Sequence, residues 1–242
     1  MRYGLIADIH SNLEALEAVL ESAGRERLNG YLCIGDIVGY GANPKECVDT
    51  IKKLKPGTLV AGNHDWGVLG LLDLDYFNKE ARDAIVWTSG VLGKPETDYL
   101  KSLELIRSRD NIVLVHGSLD EPEEFHYIFE AEDADKTFRL SRMALCFVGH
   151  SHVPGIFCHD GKTSGKVEGT TVRIESGKKY IVNVGSVGQP RDCDARASYA
   201  IYDEDAGTVE IKRVSYDIAE AQRKILKAGL PAWLASRLAE GR

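Results

Sequence analysis

The chain has 242 residues, 43% hydrophobic and 28% charged, which is ordinary globular usage with enough length for a substantial core. A formal net charge of −7 argues against a broad basic surface, so no stable nucleic-acid complex is expected. No apolar run approaches membrane-spanning length. The five cysteines (Cys33, Cys47, Cys146, Cys158, Cys193) form no C-x-x-C pair, and no signal peptide is evident before Asp8. A reducing, cytoplasmic setting is the expectation.

The pattern predicts alternating strands and helices through residue 152. Arg2–Ala7 reads as a buried strand. Ser11 is placed to cap a helix, with Glu14 completing a capping box and Leu13, Leu16, Val19 and Leu20 forming its apolar face. Gly30–Gly35 is a second strand, Pro44 opens a helix through Leu54, Pro56-Gly57 breaks it, and Thr58–Ala61 is a third strand. Helices are expected over Asn78–Val91, after Pro95 and over Ala131–Met143, with strands at Asn111–Val115 and Leu145–Val148.

After His152 the candidates are short strands: Ile156–Cys158, Thr171–Ile174, Lys179–Val184, Ser198–Tyr202 and Val209–Val214. Consecutive strands without intervening helices suggest antiparallel meander pairing. Asp217 caps a closing helix that Gly229-Leu230-Pro231 ends, and a last short helix follows. With no repeat or linker, residues 1–242 read as a single mixed α/β domain: a βα-alternating part (1–152), a β-rich part (153–214) and a helical end (217–242). The closing amphipathic helix would pack on the sheets or on a second copy, which leaves a homo-oligomer open.

Seven residues able to bind metal fall in five clusters, most directly after strand-like runs: Asp8 and His10 in LIADIH, Asp36 in LCIGD, Asn63 in LVAGN, His116 in IVLVHG, and His150 with His152 in CFVGHSH. In extended backbone residues i and i+2 point the same way, so Asp8-x-His10 and His150-x-His152 would each aim two ligands at one spot. Ligands gather beyond the carboxyl ends of strands in open α/β sheets, where all five clusters lie. Four histidines, two carboxylates and one amide are too many for one metal and suit two divalent ions with a shared carboxylate, a centre for hydrolytic or phosphoryl-transfer chemistry. The donor types favour Mn first, with Fe, Zn or Ni also suited, over Ca and Mg.

Taken in order, Asp8-Ile9-His10, Gly35-Asp36, Gly62-Asn63-His64-Asp65, His116-Gly117 and Gly149-His150-Ser151-His152 resemble the calcineurin-like metallophosphoesterase superfamily, its small prokaryotic phosphodiesterase-like members in particular. Asn183-Val184-Gly185-Ser186-Val187-Gly188-Gln189-Pro190-Arg191 is similar to a further block of such members, with Val184 where Pro is usual. The resemblance implies a four-layer α-β-β-α sandwich of two packed mixed sheets flanked by helices. It implies one metal on Asp8, His10, Asp36 and His152 and a second on Asp36, Asn63, His116 and His150, with Asp36 as the bridge. A hydroxide bridging the ions would attack phosphorus in line, and His64, next to ligand Asn63, would protonate the leaving alkoxide. Asp65 would either hold the His64 ring or cap a helix.

Asn12 and Tyr40 lie just past metal clusters and are candidates for substrate contact, although Asn12 equally suits a helix N-terminus. Arg191 and Arg196 are the cations best placed for a phosphate, with surface ion pairing as the alternative for each. A small phosphoester or nucleotide is the expected substrate. Two other outcomes stay open: a phosphoprotein phosphatase, although Tyr40 stands where such enzymes resemble one another in carrying a phosphate-gripping Arg, and a catalytically silent scaffold for protein partners.

Overall fold

The computed structural model describes residues 1–242. Two six-stranded mixed sheets pack face to face. The first has the order β3 (Thr58–Leu59), β2 (Gly30–Cys33), β1 (Arg2–Ile6), β11 (Ala197–Asp203), β12 (Thr208–Val214), β9 (Thr171–Arg173). The second has the order β4 (Ile106–Arg109), β5 (Ile112–Val115), β6 (Leu145–Val148), β10 (Lys179–Asn183), β7 (Gly155–His159), β8 (Ser164–Val167). β1, β2 and β3 run parallel, as do β5, β6 and β10, so each sheet has a parallel half whose carboxyl ends carry the metal-binding motifs.

Alternation along the strands divides the core into three layers. Leu5, Leu32, Leu114, Phe147 and Val182 point between the sheets. Their neighbours Ile6 and Cys33 face the helices that cover the first sheet, while Val113, Cys146 and Ile181 face the single helix α6 (Ala131–Leu140) over the second. α1 (Leu13–Gly24) buries Ala15, Leu16, Val19 and Ala23, a helical-period stripe, against the first sheet. α2 (Pro44–Leu54) starts at its proline and stops at Lys55 in the left-handed conformation. α7 (Ile218–Lys227), capped by Asp217, rests on α1 through Ala221 and Ile225 and through an ion pair from Lys224 to Glu14. The closing helix therefore packs on this chain. No helix is long and apolar enough to cross a membrane.

Three local expectations change. Asn12, not Ser11, caps α1: its Oδ1 accepts from Ala15 N at 3.1 Å, and Glu14 serves the Lys224 ion pair instead of a capping box. The β-rich part is no meander. β7–β8 and β11–β12 are antiparallel neighbours, but β9 joins the first sheet while β10 inserts between β6 and β7 in the second. β10 is buried on both faces, with Tyr180 and Val182 between the sheets and Ile181 against α6, as a central strand requires. Finally, β4 and β8 read poorly as strands because they are sheet edges, IRSR and SGKV, where charge and polarity suit the exposed position.

Phe147 is fully buried between the sheets. Replacing it with alanine should cost roughly 3–5 kcal/mol of unfolding free energy. Urea denaturation in EDTA measures this directly, and a loss under about 1 kcal/mol would contradict the packing described.

Candidate metal centre

Six of the seven donors sit on turns that leave the parallel strands at one end of both sheets, Asn63 opens a helix there, and all are buried. The backbone there is not extended. Asp8, His10, Asp36, His150 and His152 all have positive φ, between 48° and 65°. The i, i+2 argument from a strand thus fails for Asp8/His10 and His150/His152, because the strands end at Ile6 and Val148 and tight left-handed turns aim the side chains instead. Non-glycine residues seldom adopt this region, and such strain gathers at functional sites. Backbone hydrogen bonds fix the turns: Asp8 N to Gly35 O at 3.1 Å, His10 N to Asp36 O at 3.0 Å, Gly188 N to Asp8 O at 2.9 Å. His150 N donates to both Asp8 carboxylate oxygens, at 3.1 and 3.0 Å, and so ties the second sheet to the first.

The hydrogen-bond pattern sets the imidazole tautomers. Nδ1 of His10 lies 3.1 Å from Val38 O, Nδ1 of His116 lies 2.6 Å from Ile34 O, and Nδ1 of His152 lies 2.6 Å from Gln189 O. A carbonyl only accepts, so each Nδ1 carries the hydrogen, and the neutral rings of His10 and His152 present bare Nε2 lone pairs. Nε2 of His10 then faces Nε2 of His152 at 3.0 Å, lone pair to lone pair. Nε2 of His116 lies 3.2 Å from Asp36 Oδ2, and Nε2 of His152 lies 3.2 Å from Asp8 Oδ1. The His10 and His152 lone pairs repel unless a cation sits among them, whereas His116, charged without a metal, pairs with Asp36.

The donors divide into two overlapping groups, Asp8, His10, Asp36 and His152, and Asp36, His116 and His150, which share Asp36. Around the second group, Asp36 Oδ2, Asn63 Oδ1, His116 Nε2 and both ring nitrogens of His150 are buried with no hydrogen-bond partner in the protein. Buried orphans of this kind are rare, and together they fit two divalent cations.

Charge follows the same logic. Burial disfavours an ionised Asp36, but its histidine neighbours, the charge and hydrogen bond of His116 foremost, hold its carboxyl well below the usual range. Burial lifts Asp8 to about 7, with the Asp36 charge adding to the rise and His116 resisting it. Burial opposes a charge on His116 as well, yet Asp36 and Asp8 raise it to about 10. Burial keeps His10, His150 and His152 well below the ordinary histidine value and hence neutral, the state a metal ligand needs.

His64 and Asp65 have different roles, because both begin α3 (Asn63–Val68) and point opposite ways. The His64 backbone N–H donates to Asp36 Oδ1 at 2.9 Å. Its Nδ1 is buried without a partner against Gly39, and the residue lines the cavity beside the donors. Burial, reinforced by the Arg191 and His116 charges, presses this ring down to about 4 against the pull of Asp36.

Asp65 does not touch the His64 ring. Its carboxylate accepts four backbone N–H groups: Gly62 and Asp36 on Oδ2 at 3.0 and 2.9 Å, Ile37 and Val38 on Oδ1 at 3.0 and 3.2 Å. Asp65 is thus a clamp that caps α3 and shapes the turn carrying Asp36. Of the two roles anticipated, the cap is the one observed.

A cavity of about 270 Å³ opens over Asp36, Asn63, His150 and His152, and its walls include His64, Tyr40, Tyr76, Tyr127 and Arg191. Arg191 hydrogen-bonds the Tyr40 hydroxyl at 3.2 Å and Gln189 Oε1 at 2.9 Å, both neutral partners. Arg196 is not brought to the site; Asp194 chelates it at the surface. Asn12 is not free for a ligand either, since Oδ1 caps α1 and Nδ2 donates to Gly188 O at 2.8 Å. The sequence points to the loops around Tyr40, Trp66–Tyr76 and His126 for the wall, but no motif says which rings enter it; Tyr76 and Tyr127 do. Tyr127 stacks on His150 at 4.0 Å and 15°. The block after β10 keeps its turn without proline: Asn183 Oδ1 accepts from Gly185 N at 2.9 Å, and Nδ2 donates to Gly149 O at 2.7 Å, which steadies the His150 loop.

Asp65→Asn replaces an acceptor of four N–H groups with an amide that turns its own N–H₂ toward two of them. Expected is a destabilisation of roughly 1–3 kcal/mol by thermal denaturation together with weaker binding of manganese. An unchanged midpoint and unchanged manganese affinity would show the clamp to be dispensable.

The sequence profile of the Calcineurin-like phosphoesterase superfamily domain matches residues 1–207. The chain is 44% identical over 245 residues to an uncharacterized protein of Methanocaldococcus jannaschii, covering 98% of this chain and 97% of the other. A metallophosphoesterase crystal structure from Sphaerobacter thermophilus superposes with a TM-score of 0.89 at 43% identity, over 100% of this chain and 99% of that one. A hypothetical protein from Pyrococcus horikoshii shares the fold, with a TM-score of 0.82 at 20% identity over 100% and 98% of the two chains. Five motifs in order, their donors gathered in one buried cluster, and a match over most of the length agree: this chain belongs to the calcineurin-like phosphoesterase superfamily.

Proposed function

We propose that the chain is a dinuclear metal-dependent phosphoesterase acting on phosphodiesters or nucleotides, and that the metal is manganese. The observation that carries this reading is the pair of bare Nε2 lone pairs on His10 and His152, 3.0 Å apart beside two carboxylates. Asp8, His10, Asp36 and His152 would hold one ion, and Asp36, Asn63, His116 and His150 the other. When bound, the ions supply Lewis acidity toward phosphate oxygens and lower the pKa of a water.

The rest of the chemistry belongs to the protein. Arg191, whose hydrogen bonds all go to neutral partners, offers its guanidinium to a non-bridging phosphate oxygen from the cavity wall. Tyr40 orients that guanidinium and fills the place of the Arg that marks phosphoprotein phosphatases. His64 Nε2 faces the departing ester oxygen and gives it a proton. The ring is pressed toward neutrality while the cavity is empty, and an anionic phosphate beside it favours the protonated form. The cavity is at or below the small end of the ~300–1,000 Å³ range of small-molecule sites, which favours a small phosphoester over a folded phosphoprotein. The complete donor set and His64 speak against a scaffold that has lost catalysis.

Two measurements test this. His64→Ala should keep both metal equivalents and lose roughly 10²–10⁴-fold in kcat on an alkyl phosphodiester. The loss should be much smaller with a p-nitrophenyl leaving group, which departs without a proton. Equal losses on the two substrates would remove His64 as the acid. Asp36→Asn should abolish two equivalents of manganese in elemental analysis, since one side chain serves both ions; loss of a single equivalent would refute the bridge.

A further inference from the structure

We propose that Gln189 is a positioning residue: it fixes which edge of the Arg191 guanidinium is free for phosphate and registers that cation against His152 and Asp8. This inference rests on the reading of Arg191 as a phosphate contact, and it concerns a residue on no wall of the cavity. Gln189 is 1% exposed, and its Oε1 accepts from both Nε and Nη2 of Arg191, at 3.3 and 2.9 Å. The Tyr40 hydroxyl accepts from Nη2 as well, at 3.2 Å. A guanidinium has five N–H donors. These contacts engage the three on Nε and Nη2, which leaves the two on Nη1 for a ligand.

The amide is oriented by the same logic. Arginine only donates, so Oε1 must face it, and Nε2 is then left buried without a partner. A buried, unpaired N–H₂ is costly, and a residue present only to fill space would not carry one. A carboxylate would not serve either, because it would cancel the charge that attracts phosphate. The acid next in sequence to Arg191, Asp192, is kept from doing so by Arg213, which binds its carboxylate.

The main chain of the same residue supplies the register. Gln189 O accepts from Nδ1 of His152 at 2.6 Å, and the N–H of Arg191 returns to His152 O at 3.2 Å. A metal donor and the cation thus share one closed loop of hydrogen bonds. Gln189 N donates to Ser186 Oγ at 2.8 Å, and that hydroxyl donates to Asp8 O at 2.8 Å. One buried residue is therefore tied to His152, to the Asp8 turn and to Arg191. Such bracing holds a binding group at a fixed distance from the metal donors.

The test is a double-mutant cycle on the manganese-loaded full chain, read by kcat/KM for bis(p-nitrophenyl) phosphate, manganese content and thermal midpoint. Gln189→Met matches the side chain in length, keeps the main-chain bonds and removes the acceptor. It should lose about three- to tenfold in kcat/KM, the effect of one hydrogen bond. It should also keep both manganese equivalents and melt no lower than wild type, since the unpaired amide goes with the acceptor. Added to Arg191→Ala, it should change kcat/KM by less than about twofold, because no guanidinium is left to place. Additive losses, or a Gln189→Met variant that melts lower and sheds manganese, would make Gln189 a structural support and overturn the inference. So would full kcat/KM in Gln189→Met beside an impaired Arg191→Ala. If Arg191→Ala is as active as wild type, the phosphate contact and the positioning role both fall while manganese-dependent hydrolysis stands. A manganese-loaded wild-type chain that hydrolyses no phosphodiester removes the phosphoesterase reading as well.

Discussion

Mutual repulsion among the donors governs this molecule. Four imidazoles, two carboxylates and an amide are packed where water cannot screen them, with Nε2 of His10 facing Nε2 of His152 at 3.0 Å. No such arrangement forms by itself, since a buried polar group without a partner is costly and a buried charge more so. Each donor must be held by something that does not yield. For three histidines that is a main-chain carbonyl on Nδ1. For Asp8 it is the His150 N–H, and for Asp36 it is a turn pinned by Asp65. The energy for this comes from elsewhere, chiefly the apolar layers between and outside the sheets. A bound cation would relieve the repulsion, so metal affinity and fold stability would be linked.

The same constraint explains the backbone. A side chain leaving a strand in regular extended geometry can point only to one face of the sheet or the other. The donors must instead point along the strand axis, into the space at the shared carboxyl ends of both sheets. Left-handed φ at Asp8, His10, Asp36, His150 and His152 provides that redirection. Close approach demands glycine beside it: a Cβ at Gly149 would strike the Asp8 carboxylate, and one at Gly62 would strike Asp36. These glycines in the motifs make room for the acids next to them.

This separates what a reader of the sequence can reach from what stays hidden. Donor identity is legible, because a histidine or aspartate after a strand keeps its chemistry whatever the local geometry. The layer order follows from the motifs taken together, and most elements follow from periodicity and caps. Geometry is less legible. Asp8-x-His10 suggests extended spacing, and tertiary hydrogen bonds to Gly35 and Asp36 override it. Ser11 and Asn12 are equally plausible caps on composition; the choice falls to Asn12 because its amide also reaches Gly188, 176 positions away. Asp65 looked balanced between two roles, and only the approach of the Asp36 turn, with three N–H groups aimed at it, decides between them. The strand β10 is legible, but its place in the sheet is not: nothing local says that a chain segment will insert between two other strands.

The cavity wall is the hardest part to foresee, and it also bears most on substrate. The metal donors are drawn from five motifs, but the wall comes from long connections after α3 and β5, where no periodic signal exists. What they contribute is the aromatic rings of Tyr76 and Tyr127, while the one cation, Arg191, comes from the turn after β10. Because the chain as a whole is acidic, attraction of a phosphate must be local and short-ranged, and screening confines it further. Discrimination among phosphoesters then cannot come from charge, which every one of them carries. It must come from the part of the substrate that is not phosphate.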